Sequence, residues 1–171
     1  MQSLNRLSVE DFRSVGKLPV VLVLDNIRSG LNVGSIFRTA DAFLIEKIAL
    51  CGITAQPPHR EILKTALGST DTVDWTYFDT TEQAIDSLKK EQYRIWALEQ
   101  MAEKTWLQDF QCLPGEKHAF IVGNEVEGVT ESVLKHCDGA IEIPQFGTKH
   151  SLNVAVATGM LVWELARKLQ V

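Results

Sequence analysis

The stretch PVVLVLDNIRSGLNVGSIFRTADAFLIEKIALCG, residues 19–52, decides the fold class. It opens with a continuous apolar run at 19–25, and a second run, KIALCG, follows at 47–52. Between them, the segment GSIFRTADAF at 34–43 is suited to a helix. Two apolar strands joined by a helix form a βαβ unit, which predicts a parallel sheet.

The same alternation of strands and helices continues along the chain. The strands are apolar runs without a clean polar alternation, which is typical of strands covered on both faces. We therefore predict an α/β fold in a single domain, 1–171, with a mostly parallel six-stranded sheet and helices on both faces. The remaining strands are expected at 72–78, 94–99, 118–123 and 139–144, and the remaining helices at 8–15, 60–67, 81–91, 130–136 and 151–169.

The composition is that of an ordinary globular protein, with 45% hydrophobic and 23% charged residues among 171. No apolar run approaches the roughly 18 residues of a membrane helix, and the N-terminus has no signal-peptide core. The three cysteines are far apart and lack zinc-ligand or redox spacing. We expect reduced thiols, no metal site, no membrane association and a cytoplasmic protein.

The net charge of −5 argues against a general polyanion binder. The charge is uneven, because residues 1–64 carry eight basic and six acidic side chains, whereas residues 65–171 carry nine and sixteen. If the chain binds nucleic acid, its basic surface is expected mostly in the N-terminal third. A difference of this size is equally compatible with scatter.

The last predicted helix, 151–169, is apolar on nearly all sides between Leu152 and Trp163. A surface helix shows one apolar stripe, so this helix is expected to be covered on several sides. The sheet covers one side, and a second subunit is the expected cover for another. Burial within one chain is the alternative.

Three polar segments follow strand ends, where open α/β sheets bind ligands. In the first, 25–43, Asn32 lies in a strand-to-helix turn rich in small residues, and Arg38 lies a helical turn after Gly34. Taken alone, Asn32 is explained by helix capping and Arg38 by pairing with Asp41.

The second segment, IVGNEVEGV at 121–129, is a glycine-rich turn, but it lacks the GxGxxG and phosphate-loop patterns. Glu125 there is a candidate for capping or for binding a ligand hydroxyl. The third segment, 141–159, reaches Ser151 and Asn153 at a helix start. Ser151 is a good helix cap, whereas Asn153 needs a specific partner within an otherwise apolar helix.

Together, the patterns NxxxxxNVGxxxRTAxAF, VGNExxG and IPQFGxxxSLNVxVA resemble the SpoU branch of the SPOUT methyltransferases over residues 19–169. The resemblance implies methyl transfer from S-adenosylmethionine to a ribose 2′-hydroxyl of RNA. It also implies a C-terminal trefoil knot, which no periodicity predicts, and a homodimer through the last helix.

The family's catalytic positions match residues of all three segments of this chain. The implied catalytic set is Arg38, Asn32, Glu125, Ser151 and Asn153, and the implied cofactor contacts are Leu98, Gly123, Asn124, Gly128, Ile143, Pro144 and Leu152. Arginine stays protonated in proteins, so we expect Arg38 to bind the developing oxyanion or the adjoining phosphate, oriented by Ser151 and Asn153. Basic residues expected to contact the RNA backbone are Arg60, Lys64 and Lys149.

The sequence favours tRNA as the substrate, with ribosomal RNA as the alternative. We expect no separate RNA-binding domain before Pro19, and the Ile-Pro-Gln variant of the third motif resembles members that act on tRNA. A non-catalytic RNA-binding protein of the same fold is the rival from another class. It is disfavoured because Arg38, Asn153 and the Gly123 turn are all present.

Overall fold

A seven-stranded parallel sheet forms the centre of the molecule. The computed structural model describes residues 7–113, 115–149 and 151–169. The strands are β1 (Leu18–Asp25), β2 (Ile45–Cys51), β3 (Asp74–Phe78), β4 (Tyr93–Leu98), β5 (Thr105–Trp106), β6 (Lys117–Val122) and β7 (Gly139–Glu142). The helices are α1 (Val9–Ser14), α2 (Gly30–Ala42), α3 (Arg60–Ala66), α4 (Thr81–Lys90), α5 (Glu131–Leu134) and α6 (Val154–Leu169), with a 3₁₀ turn at Leu107–Asp109.

The strand order is β3-β2-β1-β6-β4-β7-β5, and every neighbouring pair is parallel. The chain first builds outward from β1 through β2 to β3, and the later strands lie on the other side of β1. The strand order therefore reverses between β1 and β6. In open α/β sheets, ligands bind beyond the carboxyl ends of the strands at such a point.

Both faces of the sheet are covered, as predicted. On β1, Leu22 and Leu24 belong to a core shared with α2 and α6, whereas Val21 and Val23 belong to a second core shared with α4. Successive strand residues point to opposite faces. A strand buried on both faces must therefore be apolar at every position, and this explains the unbroken run at 19–25.

The predicted count of six strands was wrong, because β5 was missed. β5 has only two residues, Thr105 and Trp106, and it pairs with Ile141 and Glu142 at the edge of the sheet. Two residues carry no readable periodicity, so only the tertiary pairing reveals this strand. The trefoil knot stays a prediction from the family resemblance.

The starts of two helices differ from the predicted ones. α2 begins at Gly30 because the Ser29 hydroxyl accepts a hydrogen bond from the Asn32 backbone at 3.3 Å. α6 begins at Val154, and the cap is Asn153 rather than Ser151. The Asn153 Oδ1 atom accepts hydrogen bonds from the backbone amides of residues 155 and 156, at 2.9 and 3.3 Å.

The small residues of the first segment were expected to let another backbone approach closely. The backbone that approaches Gly34 is that of helix α3. A Cβ atom at Gly34 would lie 2.2 Å from Thr65 Oγ1 and 2.3 Å from the Ile62 carbonyl oxygen of α3. Any side chain at position 34 would therefore push α3 away from α2. This contact fixes α3 beside the N-terminal half of α2.

One side of α6 is buried against the sheet, and another is exposed. Leu161 and Val162 are fully buried, whereas Val156, Met160 and Trp163 are 49%, 44% and 59% exposed. The alternative of complete burial within one chain is therefore wrong. The exposed apolar stripe is what the predicted homodimer requires, and the dimer itself stays a prediction.

Candidate active site

A cavity of about 500 Å³ opens beyond the carboxyl ends of β4, β6 and β7. Its volume is within the range of small-molecule sites. Six of the seven residues predicted to bind the cofactor line it: Leu98, Gly123, Asn124, Gly128, Ile143 and Leu152. Pro144 does not, although its neighbours Ile143 and Gln145 do, because consecutive residues of an extended segment point to opposite sides.

The turn 123–129 forms one wall of this cavity and has little freedom to move. The backbones of Asn124 and Gly128 exchange two hydrogen bonds, at 3.1 and 2.9 Å. Gly128 has φ +68°, a left-handed conformation that favours glycine. A Cβ atom at Gly123 would lie 2.4 Å from the Gly128 carbonyl carbon. Glycine at both positions therefore lets the turn fold back on the end of β6.

Glu99 also belongs to the cavity and was missed in the sequence analysis. Its carboxylate accepts a hydrogen bond from the Val129 backbone at 3.0 Å, and it lies where a Cβ atom on Gly128 would collide. Its position directly after Leu98, at the end of a predicted strand, was the signal that could have revealed it. Glu99 thus ties β4 to the turn after β6.

The cavity lining is acidic. Glu99, Glu125, Glu127 and Glu142 all line it, and no lysine, arginine or histidine does so among the described residues. Within the described part of the chain, only Glu142 among these four has a cationic partner, since Lys104 Nζ lies 2.9 Å from its Oε2 atom. The electrostatics of this cavity therefore favour a ligand with positive charge.

Glu125 connects the second motif to the first. Its carboxylate accepts hydrogen bonds from the backbone amides of Arg28 and Ser29, at 3.1 and 3.2 Å, and from Asn32 Nδ2 at 3.1 Å. Partial burial raises the pKa of Glu125, but the hydrogen bonds it accepts outweigh burial and hold the pKa below its usual value. The side chain is therefore an ionised anchor for the start of α2.

Asn153 connects the third motif to the same residues. Its Nδ2 atom donates a hydrogen bond to Asn32 Oδ1 at 3.2 Å, while its Oδ1 caps α6. The specific partner expected for Asn153 is thus Asn32. Asn32 uses both ends of its amide, donating to Glu125 and accepting from Asn153. The three motifs meet at this one side chain.

Arg38 belongs to the first motif and does not line the cavity, and among the described residues it makes no hydrogen bond to Ser151 of the third motif. Arg38 is exposed on α2 and makes no hydrogen bond or ion pair within the described part of the chain. Its predicted alternative partner, Asp41, instead accepts a hydrogen bond from Thr72. Ser151 is exposed and lines the cavity. Asn153, which was expected to orient Arg38, instead donates its side-chain hydrogen bond to Asn32. No hydrogen bond from a described residue orients the Arg38 side chain.

A comparison with known families decides the identity of the chain. The sequence profile of the SpoU rRNA Methylase family matches residues 19–163. This chain belongs to the SpoU family. The match covers all three motifs and every predicted catalytic position.

Two relatives of this SpoU chain are named for ribosomal RNA. One is the 23S rRNA (guanosine-2′-O-)-methyltransferase RlmB of Neisseria meningitidis, 30% identical over 168 residues, which are 97% of this chain and 66% of the relative. The other is an AdoMet-bound rRNA methyltransferase from Sinorhizobium meliloti, whose structure matches with a TM-score of 0.82 and 27% identity over 92% of this chain and 60% of that one. The SpoU chain thus spans about two thirds or less of their lengths.

Another solved structure concerns the 2-OH methylation of C/U34 on tRNA. It matches this SpoU chain with a TM-score of 0.78 and 25% identity, over 90% of this chain and 99% of that one. These proteins are thus named for different RNAs, and the preference for tRNA drawn from the sequence is not confirmed.

The three basic residues predicted to contact RNA are all exposed in the SpoU chain. Arg60 and Lys64 are four residues apart on α3 and share a face of that helix, whereas Lys149 lies in the loop before α6. None of the described helices is long and apolar enough to cross a membrane.

Proposed function

We propose that this SpoU-family chain transfers a methyl group from S-adenosylmethionine to a ribose 2′-hydroxyl of RNA, with ribosomal RNA as the substrate. The observation that carries the proposal is that three separate motifs meet beside one cavity: Asn32 donates to Glu125, which lines the cavity, and accepts from Asn153. A fold kept only as an RNA-binding scaffold has no need for this arrangement.

The cavity suits S-adenosylmethionine in size and in charge. The volume of about 500 Å³ accommodates a ligand of this size. S-adenosylmethionine carries a positive sulfonium, and the four glutamates of the lining favour a cation. When bound, this cofactor supplies a methyl carbon that the sulfonium has already activated. We expect backbone groups of the turn 123–129 and of Ile143, which line the cavity, to bind the cofactor.

The protein's contribution to the reaction is positioning and charge stabilisation. A ribose hydroxyl is a weak nucleophile at neutral pH, so its oxygen must be held close to the methyl carbon while it loses a proton. Arg38 stays protonated and is exposed without a partner among the described residues, so it is available to bind the developing oxyanion or an RNA phosphate. Ser151, in the cavity wall, is placed to hydrogen-bond the nucleotide or the cofactor.

Glu125 is a positioning residue in this proposal and is not the base. Its carboxylate already accepts bonds from two backbone amides and from Asn32, and its pKa is lowered. A carboxylate with these partners accepts a proton poorly. Glu125 therefore holds the start of α2, and with it the helix that carries Arg38.

Ribosomal RNA is proposed first because the Neisseria relative and the Sinorhizobium structure carry that substrate in their names. tRNA is the second candidate. It is favoured by the solved structure concerned with C/U34 of tRNA, which this chain covers almost completely. The homodimer belongs to the proposal as well, because the stripe of Val156, Met160 and Trp163 leaves an apolar surface for a second copy.

The proposal is tested by calorimetry and by methyl transfer. The protein is first titrated with S-adenosylmethionine, and a radiolabelled methyl donor is then supplied with unmodified 23S rRNA or unmodified tRNA transcripts. We expect cofactor binding and label in the 23S rRNA. Label in tRNA alone would show that the substrate is tRNA and not ribosomal RNA. RNA binding without cofactor affinity would support the scaffold alternative instead.

A further inference from the structure

Phe146 is the most exposed large apolar side chain among the described residues, at 96% exposure. It lies in the loop between β7 and α6, and no other described aromatic ring packs against it. A single exposed apolar side chain is common on protein surfaces and indicates nothing by itself. The position and the charge of this loop are what point to a ligand for the ring.

The loop that carries Phe146 borders the cavity proposed to bind S-adenosylmethionine, the cofactor cavity. Gln145, directly before Phe146, lines this cavity, and so do Ser151 and Leu152 at the other end of the loop. Phe146 itself does not line it. The exposed ring therefore stands beside the cofactor cavity, and it remains available when that cavity is filled.

The charge around Phe146 differs from that of the rest of this half of the chain. Residues 65–171 contain sixteen acidic side chains, yet residues 143–163 contain one lysine, one histidine and neither aspartate nor glutamate. The lysine, Lys149, is exposed and makes no hydrogen bond or ion pair with another described residue. Its charge is therefore available to an anionic ligand.

An exposed aromatic ring three residues from an unpaired cation suits single-stranded nucleic acid. Such sites combine rings on which bases stack with cations that bind the backbone phosphates. The cofactor cavity is lined by four glutamates, which repel phosphate. RNA is therefore expected to bind beside that cavity, where Phe146 and Lys149 lie, and to enter it only with the reacting ribose.

We propose that the Phe146 ring stacks on a base of the RNA substrate while Lys149 binds a nearby phosphate. The ring lies outside the cavity lining, so the stacked base belongs to a neighbour of the methylated nucleotide. A base within a duplex is stacked on its own neighbours, so this nucleotide must lie in a loop, a bulge or a single strand. Every base has a flat face, and the ring therefore selects unpaired RNA and not a particular base. This inference rests on the proposed function, because it takes RNA as the substrate.

The test follows the Phe146 ring by ¹⁹F NMR in the full chain labelled with 4-fluorophenylalanine. The chain has seven phenylalanines, and the signal that is absent from Phe146→Leu belongs to Phe146. We expect a short single-stranded RNA of mixed sequence to shift this signal through the ring current of a stacked base. The same strand in a duplex should shift it little, and inorganic polyphosphate, which has the charge without the bases, should not. No shift with the single strand, or an equal shift with polyphosphate, would overturn the stacking.

Binding of the single strand by variants separates the ring from the cation. Phe146→Ala should weaken binding about tenfold without changing the slope of log affinity against log salt, and Phe146→Tyr should restore it. Lys149→Ala should instead reduce that slope by about one phosphate contact. Leu113→Ala is the control, because Leu113 is 58% exposed and precedes β6, at the opposite end of the sheet. Equal losses of affinity in Phe146→Ala and Leu113→Ala would contradict the site.

Calorimetry with S-adenosylmethionine and light scattering test the other possible partners of the ring. Loss of cofactor affinity in Phe146→Ala would place the ring against the cofactor, and conversion of a dimer to a monomer would place it against a second copy. Either result would overturn the RNA assignment. Methyl transfer by the wild type without a shift of the Phe146 signal would overturn this inference alone. A shifted signal without cofactor binding or methyl transfer would overturn the proposed function instead.

Discussion

The side-chain amide of Asn153 donates a hydrogen bond to Asn32 Oδ1 at 3.2 Å, although the two residues are 121 positions apart in the chain. This bond joins the cap of α6 to the first turn of α2. The Asn32 Nδ2 atom donates in turn to Glu125. Asn32 therefore connects the first turn of α2 with the start of α6 through Asn153 and with the cavity lining through Glu125.

Removing the Asn32 side-chain amide should lower the stability of the folded protein, because two hydrogen bonds between the motifs are lost. Asn32→Ala leaves Glu125 with one donor fewer and Asn153 without its acceptor. We expect a loss of about 1–2 kcal/mol in the free energy of unfolding, measured in urea. Ser35→Ala is the control, because Ser35 is one turn further along α2 and its hydroxyl donates to the Leu31 carbonyl of the same helix. Equal losses in both variants would show that the network has no special role.

Glu125 should make the stability depend on pH. Its folded-state pKa lies below the ordinary value of 4.5, so its contribution is fully present above pH 4.5 and is lost as the pH falls through the folded-state pKa. Glu125→Gln should therefore be less stable than the wild type at pH 7, and the difference should shrink below pH 4.5. Urea unfolding between pH 3 and pH 8 measures this.

Glu131→Gln is the control for that experiment, because the Glu131 side chain is 85% exposed and pairs only with Lys135. We expect no comparable difference from the wild type at pH 7. If the difference in unfolding free energy between Glu125→Gln and the wild type stays unchanged down to pH 3, then ionised Glu125 does not stabilise the start of α2.

The tight turn behind the cofactor cavity should not tolerate a side chain. Gly123→Ala places a Cβ atom 2.4 Å from the Gly128 carbonyl carbon, so the turn must shift. We expect the affinity for S-adenosylmethionine to fall about tenfold or more in calorimetry. Gly147→Ala, in the loop of the third motif, meets no atom within 4 Å and should bind like the wild type. If Gly123→Ala binds S-adenosylmethionine as tightly as the wild type, this turn does not contribute to cofactor binding.

The exposed side of α6 should form the dimer contact. Met160→Glu would bury an unpaired charge there, so we expect light scattering to show a monomer where the wild type is a dimer at micromolar concentration. Leu63→Glu is the matched control, because Leu63 on α3 has nearly the same exposure, 46% against 44%. A monomeric wild type, or a dimeric Met160→Glu variant, would refute this interface.

Most of the fold was predictable from the sequence, because strands buried on both faces are apolar throughout and long enough to recognise. β1, β2 and β6 were found in this way, and the less buried β3, β4 and β7 were found from their β-branched and aromatic residues, all to within a few residues. β5 was missed because its two residues are defined only by pairing with β7. The start of α6 was misplaced because Ser151 and Asn153 are both good caps, and the choice depends on the tertiary contact with Asn32.

The candidate site was predictable where a motif resembles a family and less so elsewhere. Glu99 was missed because its role depends on the close approach of the Val129 backbone, across a gap of 30 residues. The bond between Asn153 and Asn32 depends on how two loops fold together, which spacing alone does not determine.

The central claim is that this chain methylates a ribose of RNA and needs Arg38 to do so. Arg38→Ala should fold and bind S-adenosylmethionine like the wild type, yet lose two or more orders of magnitude in transfer rate, because it removes a charge that stabilises the transition state. Arg94→Ala is the control, because Arg94 is an exposed arginine on β4 that pairs with Glu116 and does not line the cavity; it should keep cofactor binding and most of the transfer rate.

The most direct measurement is mass spectrometry of nucleosides after separate incubations of unmodified 23S rRNA and unmodified tRNA with the protein and S-adenosylmethionine carrying a deuterated methyl group. We predict one ribose-methylated nucleoside, three mass units heavier than its unlabelled form, with the wild type and nearly none with Arg38→Ala. Label on a base, label at the wild-type level with Arg38→Ala, or no labelled nucleoside from 23S rRNA or tRNA would contradict the account.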